Sequence, residues 1–204
     1  MVFINKGIEP RSLTHYRLST QNANYDGMAT DIKNDIRANM LQEQGRICAY
    51  CMGRITEDSI TIEHYIPQSV DSSLDLDYRN MIGVCQGILL GQKICGNHRG
   101  KEALKVNPLF EPTIDTIQYS RDGGIMSSDV DIDRDLKITL NLNAELLKAN
   151  RKQALVALDK ELKKKKALGP WKDIAERYIQ KFSKAGEKRE YYGILLYFLH
   201  KRIR

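Results

Sequence analysis

The sequence predicts an α+β protein in which a small zinc-stapled core of two strands and a helix precedes a mainly helical carboxyl-terminal region. Three observations favour this fold class: four cysteines between residues 48 and 95, short apolar runs of strand length in the same region, and leucines at helical spacing after residue 143. We expect an amino-terminal extension with a helix (1–44), a core (45–110), and a hairpin followed by basic helices (111–204).

The composition is that of a folded protein. With 204 residues and 42 % hydrophobic content, the chain can bury a core. No apolar run approaches the roughly 18 residues that cross a bilayer, and the opening MVFINKGIEPRS lacks the apolar stretch of a signal peptide. We therefore expect a cytoplasmic protein without a membrane partner, in which the cysteines serve as thiolate ligands rather than as disulfides.

The net charge of +6 is unevenly distributed. Residues 148–204 contain 17 Lys and Arg against 6 Asp and Glu, a net charge of +11, so residues 1–147 carry the remaining −5. A basic half favours a polyanionic partner such as nucleic acid. The alternative is a set of solvated helix faces, and the lysine run at 163–166 alone does not decide between the two.

The first predicted element is a helix at residues 31–44, where four apolar residues recur at helical spacing. Thr30 or Asp31 is available as its amino-terminal cap, and Gly45 as its stop. The core then begins with a tight C-x-x-C turn.

Two strands and a helix are expected to follow that turn. Residues 59–64 alternate as a strand does, and a short apolar segment at 80–85 supplies a second strand. The sequence GKEAL after His98 is expected to begin the helix.

The second half is expected to contain a hairpin, an acidic loop and helices. Apolar residues at 114–119 precede an Asp-Gly-Gly turn at 122–124, and a second alternating run at 136–142 follows an acidic stretch at 129–135.

Three helices should complete the chain. Asn143 can cap a long helix that ends at Gly169 and Pro170, and a second helix covers residues 174–182. The segment 191–199 is apolar on all sides, which predicts a buried helix or, less commonly, a docking helix.

The four cysteines predict a structural zinc site. A C-x-x-C turn allows Cys48 and Cys51 to bind one zinc ion, and Cys85 and Cys95 can complete a tetrahedral set. The nine residues between Cys85 and Cys95 are a looser spacing than a second C-x-x-C. The alternative is four buried, unlinked cysteines, because free cysteine is commonly buried.

Glu63 and His64 carry the chemistry of a candidate active site. Phosphodiester cleavage requires a base that takes a proton from water, a cation that stabilises the developing charge, and a ligand for that cation. Neighbouring strand residues point to opposite faces, so both can serve one site only near a strand end, and Pro67 is consistent with an end there. Alone, a histidine is more often structural.

In combination, these features resemble the HNH nuclease motif. The pattern is the C-x-x-C turn, Glu63-His64 followed by Pro67, then Asn80, and HRGK at 98–101. The opening INKGIEPRSL, the segment DLDYRNMIGVC and the cysteine pattern are similar to the PtuB-like HNH proteins of Septu-type and retron-associated anti-phage defence. The resemblance covers residues 46–109 well, the amino-terminal part loosely, and the tail only in general character.

The resemblance implies a ββα-metal core and a role for each motif residue. His64 would be the general base, Asn80 would keep its ring oriented, and His98 would bind a catalytic Mg²⁺ or Mn²⁺ together with Glu63. Beside such a cation site, Arg99 and Lys101 are well placed to hold the substrate phosphate. The alternative is that both are ordinary charges on a helix surface.

Two departures from the family pattern leave alternatives open. Many HNH proteins have Asp where Glu63 stands. His98 lies three residues after Cys95 instead of directly following the last cysteine. Asn97 is therefore an alternative ligand of the catalytic cation. His98 is in turn an alternative zinc ligand, if Cys85 does not bind zinc.

The resemblance therefore implies a metal-dependent endonuclease that acts on nucleic acid, with DNA favoured over RNA. It also implies an anti-phage defence complex with an ABC-type, PtuA-like ATPase partner. The alternative is a non-catalytic zinc-stapled subunit that binds nucleic acid or assembles with that ATPase.

Overall fold

Helices make up most of the regular structure. In the computed structural model, which describes residues 1–165 and 169–203, helices α1 to α8 span Arg11–Ser19, Thr30–Gln44, Cys95–Arg99, Glu111–Ile114, Val130–Arg134, Glu145–Lys165, Trp171–Ser183 and Tyr192–Ile203. A π-helical turn at Asp135–Thr139 and 3-10 turns at Ser72–Leu74 and Tyr78–Asn80 supplement them. None of the described helices combines the length and apolarity needed to cross a membrane. Lys166, the last residue of the lysine run, lies outside the described residues.

Strands form three antiparallel pairs in the described part of the chain. The pairs are β1 (Ile60–His64) with β2 (Met81–Cys85), β3 (Ile88–Leu89) with β4 (Gln92–Lys93), and β5 (Ile117–Tyr119) with β6 (Ile125–Ser127). In the first pair, Ile60 lies opposite Cys85 and His64 lies opposite Met81. The protein is therefore of the predicted α+β class, and β1 carries Glu63 and His64 at the end remote from Cys85.

The helix α2 and the first two strands confirm the sequence predictions, with one correction at the helix start. Gly45 ends α2 in a left-handed conformation (φ 64°), as expected. The amino-terminal cap is Ala29, which makes no side-chain cap, so neither Thr30 nor Asp31 has that role.

The helix of the core lies earlier than predicted. It spans Cys95–Arg99 and ends at Gly100 (φ 61°), so the sequence GKEAL does not begin it. Arg99 turns the following chain back, because its Nε donates to the carbonyl oxygen of Glu102 at 2.6 Å. This bond competes with continuation of the helix.

The predicted acidic loop is helical, and the predicted strand at 136–142 is a π-helical turn up to Thr139 followed by irregular chain. Asp129 caps α5 by accepting hydrogen bonds from the backbone N–H groups of Asp131 and Ile132. The chain then continues into the π-helical turn, and β6 rather than 136–142 pairs with β5. Asn143 does not cap α6; its side chain exchanges two hydrogen bonds with the Ile125 backbone.

The hydrophobic core extends through the whole described chain. Its buried residues run from Met1 to Leu199 and include the segment with the cysteines. Helix α8 packs against α6, α7 and β5, and most of its apolar side chains are buried, as predicted for a core helix. The division at residues 44 and 110 stays a prediction.

Gly45 offers a test of this packing. We expect Gly45→Ala to destabilise the protein by more than about 1 kcal/mol, since alanine is strained at positive φ. A Cβ there would also lie 2.7 Å from the carbonyl oxygen of Gly186. Gly91→Ala is the matched control, because Gly91 also has a positive φ (79°) but a Cβ added to it would meet no atom within 4 Å. Urea denaturation that gives equal losses for both variants would contradict the packing contribution.

Candidate metal centre and active site

The four cysteine sulfurs gather at one point. All four Sγ atoms lie within 4.8 Å of one another, with Cys48 and Cys95 separated by 4.0 Å and Cys51 and Cys85 by 3.9 Å. Tetrahedral zinc with Zn–S bonds of about 2.3 Å places its sulfurs about 3.8 Å apart. The cluster therefore fits a structural metal ion such as zinc, and no disulfide joins these cysteines.

Local backbone structure brings these sulfurs together. The backbone N–H of Cys48 donates to the Gly53 carbonyl (2.9 Å), and that of Met52 donates to the Cys48 carbonyl (3.0 Å). Cys85 ends β2 and Cys95 begins α3. The loose spacing between these two cysteines is explained by the β3–β4 hairpin, which lies between them in the chain.

The electrostatics of the cluster suit a cation. Burial opposes ionisation of Cys48, but hydrogen bonds from the other three thiols lower its pKa well below the usual value. Burial, together with bonds to the other thiols, raises the pKa of Cys95. A divalent ion binds deprotonated thiolates, so it would take the place of the thiol protons in this buried cluster.

Glu63 faces helix α3. Its Oε1 accepts a hydrogen bond from Arg99 Nη1 at 2.9 Å, and its side chain is 17 % exposed. A Cβ on Gly96 would lie 2.5 Å from Glu63 Oε2, so a larger residue at this position would require the Glu63 carboxylate to shift. Burial raises the pKa of Glu63, and the Arg99 charge opposes the shift.

Arg99 is an internal ion-pair partner. Its guanidinium also donates to Tyr50 Oη (3.1 Å) and to the carbonyl oxygens of His64 (3.3 Å) and Tyr65 (2.6 Å). The residue is only 3 % exposed. The predicted phosphate contact by Arg99 therefore does not fit its burial, whereas Lys101 is exposed.

His64 points to the other side of β1. Its Nε2 lies 2.9 Å from the carbonyl oxygen of Asp75, and the ring of Tyr25 packs edge-on at 4.7 Å. A carbonyl oxygen only accepts, so Nε2 carries the proton and Nδ1 is left as an acceptor. Burial lowers the pKa of His64, which favours the neutral ring that a general base requires.

Asn80 holds the loop that carries the Asp75 carbonyl. Its Oδ1 accepts from the Ile66 N–H at 2.7 Å, while its Nδ2 donates to the carbonyl oxygens of Ile66 (3.0 Å) and Leu74 (3.3 Å). The side chain thus joins the segment after β1 to the residue before Asp75.

His98 lies apart from Glu63. It is exposed, and its Nδ1 lies 3.1 Å from the Thr139 carbonyl oxygen. At about 100° per residue, His98 lies about 160° around α3 from Gly96, which faces Glu63. The rival ligand Asn97 donates to the Gln86 carbonyl oxygen at 3.3 Å.

The predicted cation ligands are therefore not gathered. Among the described residues, the cysteine cluster is the one group of three or more His, Cys, Asp or Glu side chains close enough to share an ion. Glu63 contacts Arg99, and His98 contacts the Thr139 carbonyl oxygen. Their shared binding of Mg²⁺ or Mn²⁺ stays a prediction from the resemblance. Because Cys85 belongs to the cluster, His98 is not needed as a zinc ligand.

Sequence reasoning missed the residues that surround the His64 ring. Tyr25 comes from the segment between α1 and α2, and Asp75 contributes a backbone atom. Neither has a spacing signal that relates it to His64, since both contacts arise from tertiary packing.

The comparison with known proteins gives one informative match. No protein-family profile matches the chain. Over 119 residues, the chain is 26 % identical to the Septu protein PtuB of Bacillus thuringiensis. The chain is similar to PtuB. The matched part is 57 % of this chain but 44 % of the PtuB chain, so it spans less than half of that relative. The predicted PtuB-like relation is confirmed.

Removal of the metal tests the cysteine cluster. We expect purified protein to contain one zinc ion, and chelation to lower its melting temperature strongly, since structural zinc contributes about 10–16 kcal/mol of apparent binding free energy. Cys51→Ser should lower the melting temperature in the same way, and chelator should then have little further effect. Equal melting temperatures of the wild type with and without chelator would show that the cluster holds no structural metal.

Arg99 has a testable structural role. Arg99→Met should lower the free energy of unfolding by roughly 3–5 kcal/mol, because it leaves the Glu63 carboxylate buried without its partner. Lys101→Met is the control, because Lys101 is exposed and lies two residues after Arg99. This variant should change the free energy of unfolding little. Urea denaturation with similar results for both variants would show that the ion pair contributes nothing.

Proposed function

We propose that the chain is a metal-dependent HNH endonuclease that hydrolyses phosphodiester bonds of nucleic acid, with DNA preferred, as the nuclease subunit of a Septu-type anti-phage defence complex. The observation that carries this proposal is the neutral, oriented His64 ring at the end of β1, in a chain similar to a Septu protein. The expected compartment is the cytoplasm, where thiols stay reduced.

The proposed chemistry starts from His64. Its Nδ1 takes a proton from water. The Asp75 carbonyl oxygen, which already accepts a hydrogen bond from Nε2, stabilises the imidazolium that forms. Asn80 keeps the Asp75 loop in place, and the cysteine cluster holds β2 and α3. A divalent cation would stabilise charge on the phosphate. Its predicted ligands, Glu63 and His98, stay a proposal from the resemblance, and no step is assigned to them.

A second candidate function is a non-catalytic zinc-stapled subunit that binds nucleic acid or assembles with a PtuA-like ATPase. The observation that favours it is the Glu63–Arg99 ion pair, which occupies the carboxylate. Assays should therefore use the chain both alone and coexpressed with an ATPase encoded beside it. Cleavage by neither preparation would favour this second function.

Replacement of His64 tests the proposed base. In the preparation that cleaves plasmid DNA with Mg²⁺ or Mn²⁺, His64→Ala should reduce the cleavage rate by at least about 100-fold, which is the usual contribution of a general base. Zinc content and melting temperature should be retained. His200→Ala, at an exposed position near the end of α8, is the matched control. Undiminished cleavage by His64→Ala would falsify the assignment.

The cation ligands need a separate comparison of His98→Ala and Asn97→Ala. If His98 binds the catalytic ion, its variant should need a higher Mn²⁺ concentration for half-maximal cleavage, while Asn97→Ala behaves as the wild type. Loss of cleavage in Asn97→Ala alone would transfer the ligand role to Asn97.

A further inference from the structure

A basic cleft lies in the carboxyl-terminal region, remote in sequence from the cysteines and His64. It has a volume of about 580 Å³, within the range of small-ligand sites. Its lining comes from the β5–β6 turn, α6, α7 and α8 and consists of Arg121, Asp159, Lys163, Trp171 and Arg202. Three cations against one carboxylate give this cleft a local charge of +2.

The carboxylate orients two of the cations. Asp159 accepts from Arg202 Nη2 at 2.6 Å and from Arg121 Nη1 at 3.4 Å. Lys163 has no carboxylate within 4.0 Å among the described residues. One acidic group therefore positions two guanidinium groups without neutralising the cleft, which leaves charge available for an anion.

Trp171 adds an aromatic surface to these charges. It is the one large hydrophobic residue in the cleft lining, and 37 % of it is exposed. The guanidinium of Arg202 lies 5.6 Å from the indole centroid. An exposed indole among cations is the combination with which proteins bind single strands, where bases stack on rings and phosphates meet cations.

We propose that this cleft binds a single-stranded segment of nucleic acid, with one base stacked on Trp171 and the flanking phosphates bound by Arg121 and Lys163. This inference rests on the proposed function and specifies its substrate class. A duplex hides the faces of its bases from the indole. An acidic peptide would use the cations but leave the indole without a stacking partner.

The cleft contains its own reporter, because Trp171 is the single tryptophan of the chain. We expect a 12-nucleotide oligothymidine, added to the full chain without divalent cation, to quench tryptophan fluorescence to saturation. The two phosphate contacts, at Arg121 and Lys163, should give a log–log salt slope of roughly −1.4. Anisotropy of the labelled oligonucleotide measures affinity independently of Trp171.

Charge reversal on α6 supplies the matched pair of variants. Lys163→Glu should weaken binding about tenfold, whereas Lys152→Glu, exposed on the same helix and roughly 16 Å away along its axis, should bind as the wild type. Trp171→Ala should also weaken binding, and Trp171→Phe should restore part of the loss because a ring is present again. Both charge variants should keep the wild-type melting temperature.

Three results would overturn the assignment: no quenching, equal affinity of the two charge variants, or equal binding of a duplex or of an acidic peptide with the same number of charges. Cleavage of plasmid DNA without quenching would contradict the single-strand site in this cleft but would still support the nuclease function. Saturable quenching, with no cleavage by the chain alone or by the chain coexpressed with the ATPase, would support the cleft and count against the nuclease.

Discussion

The convergence of four cysteine sulfurs is the constraint on which the arrangement of the core depends. It brings together the turn at 48–53, the end of β2 and the start of α3. Because β1 pairs with β2, the position of His64 follows from that convergence. Arg99 lies one helical turn after Cys95 and returns to β1 through its ion pair with Glu63. The metal-binding cluster and the candidate base thus belong to one closed set of contacts.

The sequence predicts the elements whose local pattern has a single interpretation. Helix α2 has apolar residues at helical spacing, and thiol chemistry restricts what four cysteines near one another can do. The run at 136–142 has no such single interpretation. Leu136 and Leu140 fit a helical spacing, and Leu140 and Leu142 fit alternation, so the pattern agrees with both structures. The helical structure is favoured because Asp129 caps α5 just before this run and because β5 is already paired with β6.

The candidate site was only partly predictable because its geometry depends on distant contacts. The Glu63-His64 pair is visible in the sequence, and opposite orientations follow from the strand geometry. The partners on each side are not visible: Arg99 lies 36 residues from Glu63, and the Asp75 carbonyl is a backbone group. A surface arginine and a buried, paired arginine also look alike in sequence, so the burial of Arg99 required the structure.

The β3–β4 hairpin has a consequence for protein engineering. Its turn residues, Leu90 and Gly91, have positive φ angles, Leu90 is 86 % exposed, and the strands meet at a base that Cys85 and Cys95 hold together. The cost of closing a longer loop grows only slowly with its length when both ends are fixed. This tip is therefore a suitable position for grafting an epitope or a fluorophore-accepting peptide, and we expect a foreign sequence there to leave the fold beneath it unchanged.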